Sequence, residues 1–251
     1  MRFFDKTPHI FTFFLFLIWG SWGQAEQTSV PSFADLAEDS IASVVSIISK
    51  LQSPQSSNNK MAYQIDGRVY GAGFIIDSQG FIVTNYHNIM DSSHIDVILE
   101  ENTQVPAQVI GVDPSSDLAL LKIDTDKKLH ALSWGDSQNI RVGDWMLTIG
   151  NPFGLKGTVT AGIISAKARE LGDLEHIMLP STTVSQNYLQ TDAPISEGNS
   201  GGPMLNLKGE VIGVSTLFVS PTGGSAGIGF GIPTHTAKPI IESLKEKGIE
   251  L

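Results

Sequence analysis

Apolar positions along the chain cluster in short β-branched runs broken by Gly, Pro, Asn and Asp. Val44–Ile48, Gly73–Asp77, Phe81–Thr84, Ile95–Leu99, Val105–Val112 and Leu118–Ile123 form one series. Trp145–Ile149, Gly157–Lys167, Tyr188–Thr191, Pro203–Asn206, Glu210–Leu217 and Gly227–Ile232 form a second. Runs this short, closely spaced and punctuated by turn residues, predict an all-β chain built as a sandwich or as barrels, not alternating strands and helices. Helical spacing occurs only at the two ends. Residues 32–42 place Phe33, Leu36 and Ile41 near one helical face behind Ser32 as N-cap. Residues 235–248 form the second helix, with Lys245 and Lys247 at the negative end of its dipole. Two polar stretches, Gln52–Arg68 and Arg169–Ser185, interrupt the strand rhythm and read as surface loops, either functional or plain connectors.

The first residues follow a different pattern. Arg2 and Lys6 precede an apolar run from Phe11 to Trp19, and Gly23-Gln24-Ala25 presents small residues two apart. That is the layout of a secretory signal peptide over residues 1–25, cut after Ala25. The alternative is an uncleaved anchor in the inner membrane, which needs about 20 apolar residues, and the run falls short. The remaining residues, 26–251, are long enough to bury a core without covalent staples, and the chain has no cysteine to make any. The net charge of −10 becomes one unit more negative once Arg2, Lys6 and Asp5 are removed. An acidic surface argues against binding a phosphate backbone, so no nucleic-acid partner is expected, and no membrane contact after processing.

Candidate chemistry centres on "EGNSGGPM", Glu197–Met204, where Gly198, Gly201 and Gly202 bracket Ser200. A turn needs one or two glycines; three around a serine suit a nucleophile whose neighbouring backbone N–H groups must approach a bound group. An ordinary Gly-rich hairpin loop is the other reading. A nucleophilic serine needs a base and a residue that orients it. The histidines beyond the leader are His87, His94, His130, His176 and His235. His87 directly follows the apolar run Phe81–Thr84, a rigid place from which to hold an imidazole. Asp117 opens the run "DLALLKI", where burial would be costly without a donor such as a histidine N–H. Taken singly, His87 also reads as a structural histidine, and Asp117 as the cap of the turn Asp113–Ser116. Taken together, the order His87, Asp117, Ser200 is that of chymotrypsin-like triads, not of subtilisin or the α/β-hydrolases. No HExxH is present and no metal or other cofactor is called for.

The segments "GAGFIIDSQGFIVTNYH", "DLALLKI", "VGDWMLTIGNPFGL", "TVTAGIISA", "QTDAPISEGNSGGPM" and "GIGFGIP" resemble the HtrA (Deg) family of serine proteases, over nearly all of the chain from Phe33 to about Lys247. The resemblance implies two packed six-stranded β-barrels of the chymotrypsin-like fold, about 40–130 and about 140–233, with the active site between them. It carries the triad onto His87, Asp117 and Ser200, and the oxyanion hole onto the N–H groups of Gly198, Asn199 and Ser200. It places a strand that pairs with substrate near Ala226–Phe230, including Gly227, Ile228 and Gly229, and suggests Ile195, Phe218 and Ile228 as walls of the S1 pocket. None of these is acidic, so a small or medium apolar P1 side chain is expected over Lys or Arg.

By the same resemblance the protein acts in a bacterial periplasm on unfolded or misfolded polypeptides. The resemblance also implies a homotrimer held through aromatic residues ahead of the first barrel, here Phe33, whose other reading is packing on its own barrel. Two departures stand out. Ser196-Glu197 replaces the Asn-Pro pair common before the Gly-Asn-Ser core, and a carboxylate facing the oxyanion hole would oppose the anion. Relatives usually continue into PDZ domains, whereas this chain ends at Leu251, so a protease domain without a PDZ domain in the same chain is expected. The rival from another class is a catalytically silent holdase, favoured only by Glu197.

Overall fold

The computed structural model describes residues 32–52, 63–152, 155, 157–170, 187–219 and 225–248. The leader, His176 and most of the two polar loops therefore lie outside the described residues. Helix α1 (Ala34–Ile41) opens the described chain, with Phe33 rather than Ser32 at its N-cap position and no side-chain cap. Strands β1 (Val44–Leu51), β2 (Tyr63–Ile65), β3 (Arg68–Ile75), β4 (Phe81–Asn85), β5 (Ser92–Ile98), β6 (Gln104–Asp113) and β7 (Leu118–Ile123) follow. All pair antiparallel in the order β1-β5-β6-β7-β4-β3, and pairing of β1 with β3 closes the six into a barrel. Strand β2 is an addition on the start of β3, joined to it by Asp66-Gly67, both at positive φ (51° and 70°). A two-residue loop with both positions left-handed matches the twist of an antiparallel pair.

Strands β8 (Trp145–Gly150), β9 (Thr158–Arg169), β10 (Tyr188–Thr191), β11 (Pro203–Leu205), β12 (Val211–Phe218) and β13 (Gly229–Pro233) form the second closed barrel, in the order β10-β13-β12-β11-β8-β9. The fold is therefore all-β and chymotrypsin-like, as the resemblance implied.

Continuous apolar runs, rather than strict alternation, mark the strands at the barrel boundary, and the packing explains why. Along β7, Ala119, Leu121 and Ile123 point into the first barrel's own core. Leu118 and Leu120 join a second core, shared with Leu147, Ile149, Val214 and Phe230 of the other barrel. Strands β3 and β4 divide in the same way, with Ile75 and Ile82 inward and Phe74 and Val83 toward the shared core. Successive strand residues face opposite sides, so a strand buried on both sides must be apolar at every position. Helix α2 (Thr234–Lys247) leaves the second barrel and packs Ala237 and Ile241 into the shared core. Its far end reaches the first barrel, where Leu244 sits over Gly111 and Lys245 pairs with Asp77. Two barrels bridged in this way hold a fixed relation, which a site assembled from both requires.

Candidate active site

Two turns of the first barrel bring His87 and Asp117 together. After β4 the chain makes a 3-10 turn over Tyr86–Asn88, which places His87 at the barrel boundary, 4% exposed. Asp117 ends the turn that precedes β7 and takes a left-handed conformation, φ 58°. Its backbone carbonyl accepts from the Tyr86 N–H at 3.1 Å and from the Asn85 side-chain amide at 2.8 Å. Its carboxylate accepts at Oδ1 from the His87 backbone N–H (2.9 Å) and at Oδ2 from His87 Nδ1 (2.7 Å) and Thr216 Oγ1 (2.8 Å). A carboxylate only accepts, so in the neutral imidazole Nδ1 carries the proton and Nε2 keeps its lone pair. That is the tautomer a general base needs.

The second barrel supplies Ser200, on the loop before β11 and 5% exposed. Its hydroxyl donates to the Thr216 carbonyl at 3.0 Å. Thr216 thus touches both ends of the constellation, its hydroxyl on Asp117 and its carbonyl on Ser200. It sits where the β12–β13 register shifts, between Ser215 and Leu217. To give its proton to an imidazole, the Ser200 hydroxyl would have to turn away from Thr216; catalytic hydrogen bonds commonly tighten only once substrate is bound.

The glycines around Ser200 are sites of close approach. Gly198 has φ 93°, and a Cβ there would stand 2.4 Å from the Asn151 carbonyl oxygen. Gly201 has φ 88°, and its Cβ would meet the Ala72 carbonyl oxygen at 2.2 Å. No L side chain fits either position. Among the described residues the N–H groups of Gly198 and Ser200 have no hydrogen-bond partner, whereas the N–H of Asn199 donates to Ser196 O at 3.0 Å. Of the three donors expected from the sequence, the loop therefore leaves two open. Glu197 is exposed and Asn199 buried.

The region expected to bind substrate needs a correction. Gly229 and Phe230 belong to β13, whose two edges are both occupied, by β10 (Thr191↔Gly229, Gln190↔Phe230) and by β12 (Phe218↔Gly229, Leu217↔Phe230). A strand inside a closed barrel cannot take up another. Ala226, Gly227 and Ile228 precede it, with Gly227 at φ 71° and the Ile228 carbonyl accepting from the Val219 N–H. The open edge lies on β12 instead. There β11 pairs only as far as Val214, and Gly201 and Gly202 take Ser215. Beyond Ser215, Thr216–Phe218 pairs with no strand on that side among the described residues, and the Thr216 carbonyl takes the Ser200 hydroxyl. Ile195 is fully buried against Gly229, Phe218 is half-buried and Ile228 is 36% exposed.

The other described histidines do not enter the site. His94 pairs with Asp96 at 3.0 Å in an exposed position, His235 engages Ser137 at 2.9 Å, and His130 is exposed. Two residues that the motifs did not single out do enter it, Asn85 and Thr216, as described. Burial pushes the Tyr188 phenol up to about 12 from its ordinary 10.0, and the Asp117 carboxylate adds to the rise. Tyr188 is thus a neutral ring of the buried core across the ordinary pH range.

Residues 71–214 match the trypsin-like peptidase domain. The chain is 52% identical over 179 residues to "Probable periplasmic serine endoprotease DegP-like" of Rickettsia conorii, over 71% of this chain and 34% of the relative. It is 44% identical over 196 residues to the protein of the same description from Bartonella henselae, over 78% of this chain and 37% of the relative. It thus spans little more than a third of these curated relatives' length. Among solved structures, "HtrA-type protease AlgW with tripeptide" superposes with a TM-score of 0.74 at 36% identity, over 86% of this chain and 64% of that one. "HtrA-type protease AlgW with decapeptide" gives 0.71 at 34%, over 86% and 68%. On the matched domain, the relatives and the two-barrel fold alike, the chain belongs to the trypsin-like peptidase family, in its HtrA branch.

Proposed function

We propose that the protein is an exported serine endopeptidase that hydrolyses peptide bonds of unfolded or damaged proteins in the periplasm. The observation that carries this reading is the buried chain of contacts from His87 Nδ1 through Asp117 and Thr216 to the Ser200 hydroxyl. Ser200 Oγ attacks the peptide carbonyl carbon while His87 Nε2 takes the hydroxyl proton, and Asp117 stabilises the imidazolium that results. The N–H groups of Gly198 and Ser200 receive the tetrahedral oxyanion, each such donor being worth about 10²–10³ in rate. His87 then gives its proton to the leaving amine, and water, activated by the same imidazole, releases the acyl group from Ser200. These steps use no metal or other cofactor.

An extended substrate adds to the open edge Thr216–Phe218, beside Ser200, so that main-chain hydrogen bonds supply affinity for many sequences. The AlgW structures named with peptides support a peptide ligand. Phe218 ends that edge, the Ile228 carbonyl takes the N–H of the next residue, Val219, and Ile195 packs on Gly229 opposite Phe218, in keeping with a small or medium apolar P1 side chain. Glu197 projects into water, where its charge is screened, so it gives no ground for a silent holdase. Export rests on the leader of residues 1–25, and the periplasm also on the descriptions of the relatives. A fluorophosphonate probe tests the chemistry directly. It should label the protein at Ser200 and nowhere else; a folded chain that binds unfolded casein but resists the probe is a holdase.

The assembly belongs to the same proposal. The Phe33 ring packs against Trp145 of its own chain at 5.5 Å, yet Trp145 remains 40% exposed. A partly exposed aromatic pair, Phe33 ahead of the first barrel and Trp145 at the start of β8, suits a contact used three times around a threefold axis. Light scattering on residues 26–251 should report a trimer at micromolar concentration, and Phe33→Ala should dissociate it. A monomeric parent refutes the trimer, and a trimeric variant clears Phe33 of the role.

A further inference from the structure

His87 and Ser200 come from different barrels, yet the residue after His87 touches the nucleophile's own peptide group. Asn88 is 1% exposed, and its side-chain amide donates to Ser200 O at 2.8 Å and to Thr84 Oγ1 at 3.1 Å. Both neighbours can use only a donor here. A carbonyl oxygen accepts, and the Thr84 hydroxyl spends its proton on Ala72 O at 2.7 Å. The amide nitrogen is therefore placed by chemistry on this side. The Ala72 N–H donates to the same Ser200 carbonyl at 2.9 Å, and the other end of that peptide, the Gly201 N–H, donates to Ser215 O at 2.7 Å. The Ser200–Gly201 peptide is thus gripped by two donors of the first barrel and one acceptor of the second. Room for the amide comes from two missing side chains. A Cβ on Gly71 would lie 2.4 Å from Asn88 Cγ, and one on Gly201 would lie 2.9 Å from Asn88 Nδ2.

We infer that Asn88 is a positioning residue for the reaction, acting through the Ser200 peptide to hold the nucleophile in register with His87. This rests on the serine-protease reading above. One 3-10 turn then carries both the base and the strut that sets where the nucleophile stands, so the two move together. The strut is separable from the fold. Without Asn88, Ser200 O keeps the Ala72 N–H and Thr84 keeps its bond to Ala72 O, so no buried polar group is stranded. What is lost is direction. A reacting atom displaced by about 1 Å can cost about 10² in rate.

The test uses the whole chain with Asn88→Leu, which keeps the bulk and removes the donor, and Asn88→Ala, which adds no bulk. Fluorophosphonate labelling of Ser200 should slow by about 10–100-fold in each. Binding of unfolded casein, measured with Ser200→Ala beneath each substitution to prevent turnover, should stay within about twofold, because the strut acts on the acylation step and leaves the β12 edge alone. A slowing in labelling without a loss of binding is the signature of positioning. Labelling at the parent rate overturns the inference and leaves the serine-protease reading standing. Labelling and binding lost in parallel, or failure of both variants to fold, makes Asn88 a structural residue and overturns it as well. A parent chain that does not label overturns both readings.

Discussion

Replacing Ser200 by alanine should abolish digestion of unfolded casein while leaving the fold and substrate binding in place. The substitution keeps the Cβ and the backbone, so the contacts that fix the loop survive: Ala72 N–H and Asn88 to Ser200 O, and Gly201 N–H to Ser215 O. The one bond lost is that of the hydroxyl to Thr216 O, a neutral hydrogen bond worth about 1 kcal/mol net. Thermal stability should therefore change little. Catalysis should not survive, because the base has nothing to deprotonate and no acyl-enzyme forms; removal of a triad serine costs on the order of 10⁶ in kcat. Casein cleavage and the melting temperature, measured on the same preparation, decide it. Digestion at the parental rate would mean that Ser200 is not the nucleophile, whatever its surroundings.

The strand framework was legible because its physics is local. Every run named from the sequence overlaps a strand, and the bounds of Leu118–Ile123 and Tyr188–Thr191 coincide with β7 and β10. The missed strand β2 is instructive. Ile65-Asp66-Gly67-Arg68 carries a two-residue hairpin signal, but it closes a polar stretch whose composition reads as loop. Alternation was also weak there, since Gln64 and Arg68 sit in the paired strands themselves.

What was not legible depended on pairing between distant segments. "GIGFGIP" reads correctly as strand, yet nothing within it tells that both of its edges are taken, and so the open edge fell on the wrong segment. Thr216 lies in "VIGVSTLF", where a threonine is one more β-branched residue, and only its contact with Asp117 Oδ2 gives it a role. Asn88 follows His87 in the chain but acts on Ser200, far along it. The Gly-Asn-Ser loop was read as three equivalent donors, because its own internal bond from Asn199 to Ser196 becomes visible only once the loop is folded.

The same close geometry makes Asp117→Asn the sharpest probe of how the base is prepared. The side chain is nearly isosteric, so the turn and the left-handed φ of 58° at position 117 should persist. Its two terminal atoms are not equivalent, however. Oδ1 faces the backbone N–H of His87 at 2.9 Å, a donor that cannot reverse. The asparagine must therefore keep its oxygen there and turn its NH₂ toward the place of Oδ2, which His87 Nδ1 and Thr216 Oγ1 approach at 2.7 and 2.8 Å. The threonine hydroxyl can rotate and accept. The imidazole can accept only by moving its proton from Nδ1 to Nε2, which leaves the nitrogen intended for Ser200 without a lone pair. Two losses then coincide, the base in its working tautomer and the negative charge that stabilises the imidazolium. Kcat should fall about 10⁴-fold with KM little changed, and fluorophosphonate labelling of Ser200 should slow in parallel while the melting temperature moves far less. A kcat within about tenfold of the parent would show that Asp117 anchors the turn without setting the tautomer of His87.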